Sequence, residues 1–393
     1  MPQRKVSGSK QAVIVEAVRT PCGKRNGKLK DMHPTELAAA VLKEVVRRAG
    51  IEPAMVDDIV MGCVLPAGDQ GLNIARNSAL LAGFPVEVPA TTVDRQCGSG
   101  QQAVHFAANL IEAGACDVVI AGGVESMTRV PMGSTRKIDG QGSPFTQELL
   151  SRYPIVSMGL AAEMIAEKWH LTRIQVDEYS LRSHRQAHAA ATEGRFRREI
   201  LPLKVSVGDA SETMDTDETI RSNASLEGLA GLKSAFREGG VVTAGNSSPI
   251  SDGAAALLLM SSDKARELGL KPRARLVAQL VLGTDPVLAL TGPIPATTRI
   301  LERAGLSLKD IDLIEINEAF ASVVLAWQHE LEPDMDRVNV NGGAIAVGHP
   351  LGASGARIMT TLLHEMERRD VALGLQTMCC FGGLGIATII ELL

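Results

Sequence analysis

The stretch Val93-Asp-Arg-Gln-Cys97-Gly-Ser-Gly100-Gln-Gln-Ala103 lies in the first third of the chain and decides how the rest is interpreted. The β-branched run before it predicts a strand, and the apolar spacing from Ala103 to Ala113 predicts an amphipathic helix. Cys97 therefore falls in a glycine turn where a strand meets a helix. A helix N-terminus carries unpaired N–H groups and a partial positive charge, which favour thiolate over thiol. We expect Cys97 to be a nucleophile, with a buried structural cysteine as the alternative.

The same turn offers a second interpretation. Gly98 to Ala103 fits the pattern G-x-G-x-x-G/A, and Glu125 follows at the distance of a ribose-binding acid. A nicotinamide-dependent dehydrogenase is therefore an open alternative. That pattern more usually opens the first βαβ unit of a chain, whereas here a strand and a helix already precede it.

Composition narrows the class of protein. The 393 residues carry a net charge of −5 and show no basic run interleaved with aromatic residues, so nucleic-acid binding is not indicated. No apolar run reaches the length of a membrane span. Residues 1–10 are polar and basic, which predicts a loose tail and no secretory signal. The six cysteines form no C-x-x-C pair, as expected in a reducing cytoplasm.

Two histidines raise the question of a metal site. His184 and His188 are four residues apart on a predicted helix. Arginines surround them and no third ligand stands at a matching spacing, so we expect a solvated helix face and no bound metal.

Strands and helices alternate through the first third of the chain. This alternation predicts an α/β fold with a mainly parallel sheet covered by helices. The first helix is expected over residues 35–49, with Thr35 as its N-cap and Gly50 after its end. The middle segment, 124–249, has few buried-strand runs and predicts an inserted loop domain.

From about residue 272 the pattern restarts. The run 274–280 matches the opening strand, and residues 338–343 match the strand before the Cys97 turn. The glycine turn 348–355 then precedes a helix, as Gly98 and Gly100 precede theirs. We predict two duplicated βαβαβ halves, 1–123 plus 250–271 and 272–393, in a layered α/β/α/β/α core with matching loops at their junction.

The motifs of this chain resemble those of the thiolase family along nearly its whole length. The matching motifs are Arg19-Thr-Pro, Cys97-Gly-Ser-Gly, Gly122-Gly-Val-Glu-Ser-Met127, Thr243-Ala-Gly-Asn-Ser-Ser248, Asp252-Gly-Ala-Ala, Asn317-Glu-Ala-Phe320, Gly342-Gly343, Gly348-His-Pro-Leu-Gly-Ala-Ser-Gly355 and Met378-Cys379. The resemblance implies a thiolase-like fold and reversible Claisen chemistry on acyl-CoA.

The resemblance also implies a role for each catalytic residue. Cys97 attacks the 3-keto carbon of a 3-ketoacyl-CoA after His349 takes its proton, and Cys379 protonates the acetyl-CoA enolate that leaves. A second CoA then removes the acyl group from Cys97. Asn317, through a bound water, and His349 would hold the enolate oxygen. The backbone N–H groups of Cys97 and Phe381 would hold the oxygen of the acyl group.

CoA is implied as a substrate, and no permanently bound cofactor is expected. By the resemblance, Arg221 lies near its adenine and phosphate end, and Ser248 hydrogen-bonds the pantetheine. Met158, Phe236 and Phe320 would line the channel, with ordinary core packing as the alternative for these three.

Two positions depart from the family pattern. Phe381 stands where thiolases usually have glycine, which would matter if the backbone angle there were open only to glycine. Ser157 stands where acetoacetyl-specific synthetic thiolases tend to have histidine. Gln101-Gln102 and residues 332–343 look most like actinobacterial degradative enzymes, including those of sterol side-chain breakdown, so we favour a degradative 3-ketoacyl-CoA thiolase.

Other function classes stay open beside that one. They are a short-chain acetyl-CoA acetyltransferase, a decarboxylating ketoacyl synthase, the dehydrogenase and an inactive acyl-CoA-binding protein. Cys379 argues against the synthase, and the presence of Cys97, His349 and Cys379 together argues against an inactive protein. The cysteine usage predicts a cytoplasmic protein, and the family implies a homodimer or homotetramer.

Overall fold

The computed structural model describes residues 10–136, 142–208 and 210–393, without the side chain of residue 207. The tail predicted over residues 1–10 lies outside this part of the chain except for Lys10. The strands are β1 (Ala12–Arg19), β2 (Gly23–Lys24), β3 (Asp58–Gly62), β4 (Ala90–Val93), β5 (Val118–Ser126), β6 (Leu203–Val207), β7 (Ala210–Met214), β8 (Ser251–Ser261), β9 (Ala274–Gly283), β10 (Leu313–Ile316), β11 (Leu373–Cys380) and β12 (Leu384–Leu392).

Helices follow most of these strands. They are α1 (Pro34–Ala49), α2 (Ile74–Leu81), α3 (Ser99–Glu112), α4 (Gln147–Arg152), α5 (Met158–Lys168), α6 (Arg173–Thr192), α7 (Leu226–Ala230), α8 (Ser262–Glu267), α9 (Pro293–Ala304), α10 (Ala321–Leu331), α11 (Ala344–Val347) and α12 (Leu351–Arg369). None of the helices in the described ranges is both long and apolar enough to cross a membrane.

The N-cap predicted for α1 is wrong. His33, and not Thr35, caps the helix, and its Nδ1 accepts a hydrogen bond from the Thr35 N–H. Glu36 completes a capping box by accepting from the His33 N–H. Pro34 occupies the first helical position, where its missing N–H costs nothing, so the helix begins one residue earlier than the threonine suggested. Gly50 ends the helix in the left-handed region as expected, with φ 70°.

The main sheet has the strand order β10-β11-β12-β9-β1-β8-β5-β3-β4. The prediction of a mainly parallel sheet is wrong. Only the pairs β3–β4, β3–β5 and β10–β11 are parallel along this path, and the others are antiparallel. One cause is the hairpin of β11 and β12, whose strands are antiparallel. Another is that β1 and β9 run antiparallel to both of their neighbours, so that β8 and β9, on either side of β1, point the same way.

The sheet is symmetric about the contact between β1 and β9. Outward from that contact, β8, β5 and β3 are matched by β12, β11 and β10, with the same sequence of antiparallel and parallel pairs. This order is what a duplicated half produces. The strand predicted at 338–343 does not form, however. Only Val338 pairs there, in a single parallel bridge with Ile314, where the first half has β4.

Alternating strand residues pack into different layers. In β8, Ala256 and Leu258 pack with α1 and α2, whereas Leu257 and Leu259 pack with α3 and α12. The outer face of the second half is covered by α9 and α10. Both faces of each half-sheet are therefore buried, and α3 and α12 form the shared middle layer. The predicted α/β/α/β/α arrangement is confirmed.

The segment between β5 and β8 contains helices α4 to α7 and the small hairpin β6–β7. His184 of α6 is buried and accepts a hydrogen bond from the Arg221 N–H, so the predicted solvated face is wrong for this residue. His188 is exposed. No cluster of three or more metal-ligating side chains occurs among the residues that the structure describes.

Candidate active site

Four predicted catalytic residues lie at the ends of strands or at the helix starts that follow them. Cys97 lies between β4 and α3, and Asn317 directly follows β10. Cys379 is the second-last residue of β11. His349 precedes α12 by two residues. The carboxyl ends of parallel strands lie at one edge of a sheet, so the duplication brings these positions to the junction between the halves.

Glycines let the two helix starts approach each other. A Cβ at Gly123 would lie 2.0 Å from the carbonyl oxygen of Gly352, and one at Gly100 would lie 2.8 Å from the same oxygen. A Cβ at Gly355 would lie 2.2 Å from the Gln101 nitrogen. These contacts pack α12, and with it His349, against the turn that carries Cys97. The missing side chain of Gly100 therefore leaves space for α12. In a phosphate-binding turn, the same space would be left for the ligand.

Glu125 fixes the same junction through hydrogen bonds that its carboxylate accepts. Its buried carboxylate accepts hydrogen bonds from the N–H groups of Val64, Leu65 and Gly352 at 2.8, 3.2 and 2.9 Å, and from Gln70 Nε2 at 2.6 Å. Burial raises the pKa of this carboxyl, and the four donors oppose that rise. With its oxygens occupied, Glu125 is not a ribose ligand, which removes the structural basis of the dehydrogenase alternative.

The imidazole of His349 is held in one tautomer. Its Nδ1 lies 2.6 Å from Ser354 Oγ, and this hydroxyl lies 2.8 Å from the carbonyl oxygen of Pro350. Because the hydroxyl donates its proton to the carbonyl, it accepts from His349, so the ring proton is on Nδ1. Nε2 then carries the lone pair, 3.4 Å from Asn317 Nδ2. The His349 backbone N–H is fixed by Ser251 Oγ at 3.1 Å.

Burial also fixes the protonation states. It lowers the pKa of His349 to about 3, with Arg357 adding to the effect, so the ring is neutral at ordinary pH. Burial raises the pKa of Cys97 to about 12, against the opposing effect of the N–H groups of Cys97 itself and of Phe381. The backbone N–H at the helix start does favour the thiolate, as expected, but the loss of hydration outweighs this effect and the thiol is the expected resting form.

The two thiols interact. Burial raises the pKa of Cys379 above its usual value, and the charge of Cys97 raises it further. Both sulfurs are thus close neighbours, and both are protonated at rest. Cys380 is also buried and packs against the Cys97 turn, where a Cβ on Gly98 would lie 2.7 Å from its sulfur. All six cysteines are free thiols.

The donors predicted for the acyl oxygen lie together. The N–H groups of Cys97 and Phe381 each lower the pKa of the Cys97 thiol, against the rise that burial causes. Phe381 does not have a positive φ, whereas Gly382 and Gly383 after it have φ of 88° and 75°. The backbone conformation at 381 is therefore open to a side chain, and the departure from glycine leaves the donor in place.

Four of the five residues predicted to bind CoA form one cluster. The rings of Phe236 and Phe320 meet edge to face, with centroids 6.0 Å apart. Phe236 also covers the start of α5 beside Met158, and the Ser248 N–H donates to the carbonyl oxygen next to Phe320 at 3.0 Å. Cys379 packs into the same apolar cluster as Phe320 and Met158. The described contacts of Arg221 do not join it to this cluster; its N–H donates to His184.

The sequence missed the residues that position the catalytic groups. Ser354 and Ser251 both hold His349, and Glu318, beside Asn317, accepts from Tyr179, Ser183 and Asn339. Ser354 lies in a motif that was recognised, but its contact with His349 depends on α12 starting at Leu351. Spacing alone does not reveal that contact.

Family models cover most of the chain. The model for the thiolase N-terminal domain matches residues 12–263, and the model for the thiolase C-terminal domain matches residues 270–392.

Individual proteins are similar over nearly the full length. The steroid 3-ketoacyl-CoA thiolase FadA6 of Mycobacterium tuberculosis is 47% identical over 389 residues, which cover 97% of this chain and 94% of that protein. The 3-ketoacyl-CoA thiolase of Idiomarina loihiensis is also 47% identical over 389 residues, covering 97% and 99%. The crystal structure of the Bacillus anthracis acetyl-CoA acetyltransferase superposes with a TM-score of 0.91 at 43% identity, covering 98% of this chain and 100% of that one.

Proposed function

This chain belongs to the thiolase family and is an acyltransferase, and from this premise we propose that it cleaves 3-ketoacyl-CoA with CoA through an acyl-Cys97 intermediate. The products are acetyl-CoA and an acyl-CoA shortened by two carbons. The observation that carries the proposal is the fixed tautomer of His349. Its Nε2 carries a lone pair in a site where the Cys97 thiol is protonated and needs a base.

The first step uses this base. Nε2 of His349 takes the Cys97 proton as the sulfur attacks the 3-keto carbon, because a free thiolate is too scarce at neutral pH. The oxygen of the tetrahedral intermediate is held by the N–H groups of Cys97 and Phe381. Backbone donors that are already in place stabilise this charge without reorganisation.

Cleavage of the carbon–carbon bond then releases acetyl-CoA as an enolate. The protonated thiol of Cys379 gives the enolate carbon its proton. The enolate oxygen is held by the imidazolium N–H of His349 and by Asn317. Asn317 Oδ1 is buried and has no partner among the described protein groups, which leaves it to accept from a bound water. The imidazolium of His349 then returns its proton to the Cys379 thiolate. CoA finally takes the acyl group from Cys97, with neutral His349 moving the proton of the CoA thiol to the departing Cys97 sulfur.

The residues that bind CoA are part of the same proposal. We assign the pantetheine to the cluster of Met158, Phe236, Ser248 and Phe320, and the nucleotide end to Arg221. The degradative direction is favoured by the two relatives named 3-ketoacyl-CoA thiolase, and by Ser157, which caps α5 where synthetic enzymes tend to have histidine. The B. anthracis acetyl-CoA acetyltransferase supports synthesis of acetoacetyl-CoA as the second candidate.

We also propose a cytoplasmic homodimer or homotetramer. The six free thiols are typical of a reducing compartment. β4 is the end strand of the main sheet, a position that suits pairing with a second copy. The division into halves at 1–123 plus 250–271 and 272–393, with an insertion at 124–249, is part of the same proposal.

The experiment separates acyl transfer from bond cleavage. CoA-dependent cleavage of acetoacetyl-CoA and of longer 3-ketoacyl-CoA is measured beside the exchange of acetyl groups between acetyl-CoA and labelled CoA. Cys97→Ser should lose both activities. Cys379→Ser should keep the exchange and lose cleavage by about 100-fold or more.

The matched control is Cys116→Ser, which removes a half-buried thiol beyond the other end of α3. It should leave both activities unchanged. A wild-type protein that forms no acyl-Cys97 with acetyl-CoA would sink the proposal. Stronger cleavage of acetoacetyl-CoA than of every longer substrate would move the assignment to the second candidate.

A further inference from the structure

The catalytic Asn317 is placed chiefly by its backbone. Its Nδ2 lies 3.4 Å from His349 Nε2, which is longer than an ordinary hydrogen bond. Its Oδ1 has no partner among the protein groups that the structure describes. The Asn317 N–H, in contrast, donates to the Thr377 carbonyl at 3.0 Å. The residues on either side of Asn317 therefore decide where its amide lies.

Asn339 fixes the residue before it. Its Oδ1 accepts a hydrogen bond from the Ile316 N–H at 2.9 Å, and its Nδ2 donates to the Ile316 carbonyl at 2.9 Å. The same Nδ2 lies 3.0 Å from Glu318 Oε1. Asn339 is fully buried, and satisfied polar networks of this kind hold their members rigidly. One asparagine thus binds the residues on both sides of Asn317.

Helix α6 fixes the residue after it. The buried carboxylate of Glu318 accepts hydrogen bonds from the Tyr179 hydroxyl at 2.8 Å and from the Ser183 hydroxyl at 2.6 Å. Tyr179 and Ser183 are four residues apart, so both lie on one face of α6. The Ile345 N–H donates to the same carboxylate at 3.1 Å. With donors on both oxygens, Glu318 has little freedom to move.

Two glycines bring α6 close to this site. A Cβ at Gly342, whose φ is 72°, would lie 2.5 Å from the Ser183 carbonyl oxygen. A Cβ at Gly343 would lie 2.3 Å from Glu318 Cδ. The Gly343 N–H donates to the Ser183 hydroxyl at 3.0 Å, so this hydroxyl is both donor and acceptor. The segment between β5 and β8, which contains α6, is therefore in direct contact with the backbone around Asn317.

We propose that Tyr179 and Ser183 are positioning residues for the cleavage step, which hold Asn317 in place through Glu318. The inference rests on the proposed function. In that mechanism Asn317 acts, through a bound water, on the enolate oxygen. Exchange of acetyl groups between acetyl-CoA and CoA forms no enolate, and backbone N–H groups hold the acyl oxygen. Loss of either hydroxyl should therefore slow cleavage and spare exchange.

The test measures CoA-dependent cleavage of acetoacetyl-CoA and of 3-ketohexanoyl-CoA beside acetyl exchange, in the same preparations. Ser183→Ala should lower kcat for cleavage by about 10- to 100-fold, because a displacement of about 1 Å near the reacting atoms has an effect of this size. Tyr179→Phe keeps the ring and removes one donor, so it should act in the same direction and less strongly. In both variants exchange should stay within about twofold of the wild type.

Ser180→Ala is the matched control. It removes another buried hydroxyl of α6, one that donates to the Val176 carbonyl instead of to Glu318. Both activities should stay unchanged in this variant.

A double-mutant cycle shows whether Ser183 acts through Asn317. Asn317→Ala alone should lower cleavage, because the enolate oxygen loses a partner. Adding Ser183→Ala to it should lower cleavage by less than about twofold more, since a residue that acts only through Asn317 has nothing left to position. A residue that merely stabilises the fold would give its full effect in both backgrounds.

Different outcomes overturn different claims. Equal losses of cleavage and exchange in Ser183→Ala and Tyr179→Phe would overturn the inference, as would unchanged cleavage in both or a full additional loss in the Asn317→Ala background. If Ser183→Ala does not fold, the ratio of the two activities in Tyr179→Phe decides. A wild type with neither activity overturns the proposed function, and this inference with it.

Discussion

His349 Nδ1 lies 2.6 Å from Ser354 Oγ, and the hydroxyl of Ser354 is itself committed to the Pro350 carbonyl at 2.8 Å. The hydroxyl therefore acts only as an acceptor toward the ring. One buried serine, in the first turn of α12, thus decides which nitrogen of the catalytic histidine is basic. The proline carbonyl fixes the serine in turn, so the tautomer follows from the backbone of the helix start.

Ser354→Ala is expected to lower kcat by about 10- to 100-fold with little change in KM, because the neutral ring loses the acceptor that keeps its proton on Nδ1. Ser354 is a positioning residue, since it touches His349 and not the substrate. Thr360→Val is the control: it removes another buried hydroxyl of α12, bonded to the Ala356 carbonyl, without a contact to His349. Steady-state kinetics give kcat and KM for both variants. Equal losses of kcat in the two would contradict a positioning role for Ser354.

The resting site is expected to hold a neutral thiol and a neutral imidazole. With the pKa of Cys97 raised to about 12 and that of His349 lowered to about 3, the ion pair is the minor state at neutral pH. The ultraviolet difference between the wild type and Cys97→Ser should therefore show no thiolate absorbance at pH 7. A thiolate band at that pH would contradict this assignment.

The rate of Cys97 alkylation by iodoacetamide is a second test of these protonation states. In the wild type, the internal base gives a rate that changes little between about pH 6 and pH 9. In His349→Ala only free thiolate reacts, so the rate should rise about tenfold per pH unit.

The catalytic residues could be proposed from the sequence because their motifs are local. Cys97 in its strand–turn–helix and the repeat of that unit at His349 are visible from spacing alone. The elements of the first half follow the predicted pattern to within a few residues. The strand predicted over 338–343 does not form because the backbone at Asn339 has a φ of 47°, outside the β region, so pairing is reduced to Val338.

The protonation states of the catalytic residues, and the residues that position them, could not be predicted from the sequence in the same way. The state of the Cys97 thiol depends on burial by residues from loops far apart in sequence, such as Val64, Met127 and Leu351. A helix start next to a cysteine carries no information about that burial. The structural role of Glu125 was not visible for a similar reason, because its donors at 64, 65, 70 and 352 converge only in the folded chain.

Gly123→Ala is expected to destabilise the protein strongly and to lower activity. The added Cβ would lie 2.0 Å from the Gly352 carbonyl oxygen, and both sides of that contact are backbone, so neither can give way cheaply. Overpacking of this kind costs about 1–3 kcal/mol or more of the free energy of unfolding. The shift of α12 should also move His349.

Gly283→Ala is the matched control, because a Cβ there meets no heavy atom within 4 Å. Its free energy of unfolding should change by less than about 0.5 kcal/mol. Urea unfolding compares the two variants. A Gly123→Ala protein as stable and active as the control would show that the strand and helix are not in the close contact described.

His105 should make the protein sensitive to acid. It is buried in α3 with Nε2 2.7 Å from Thr388 Oγ1, and burial, with Arg95 adding to the effect, lowers its pKa to about 3. In the unfolded chain a histidine takes up a proton below about pH 6.5, whereas the folded protein does not until about pH 3. The unfolded state therefore gains stability as the pH falls through this window, and the contribution of neutral His105 is lost. From pH 7 to pH 5 the free energy of unfolding should fall by about 2 kcal/mol through this residue.

The measurement is urea unfolding at pH 7 and pH 5, at a fixed protein concentration, for the wild type and His105→Gln. The variant cannot titrate at this position, so its loss of stability between the two pH values should be smaller by about 2 kcal/mol, even if it is less stable at both. The other buried histidines are the same in both proteins and cancel in the comparison. His329→Gln, at an exposed position of α10, should follow the wild type. Parallel losses in the wild type and His105→Gln would mean that His105 is protonated in the folded protein, which would require the polar layer between α3 and β12 to be open to water.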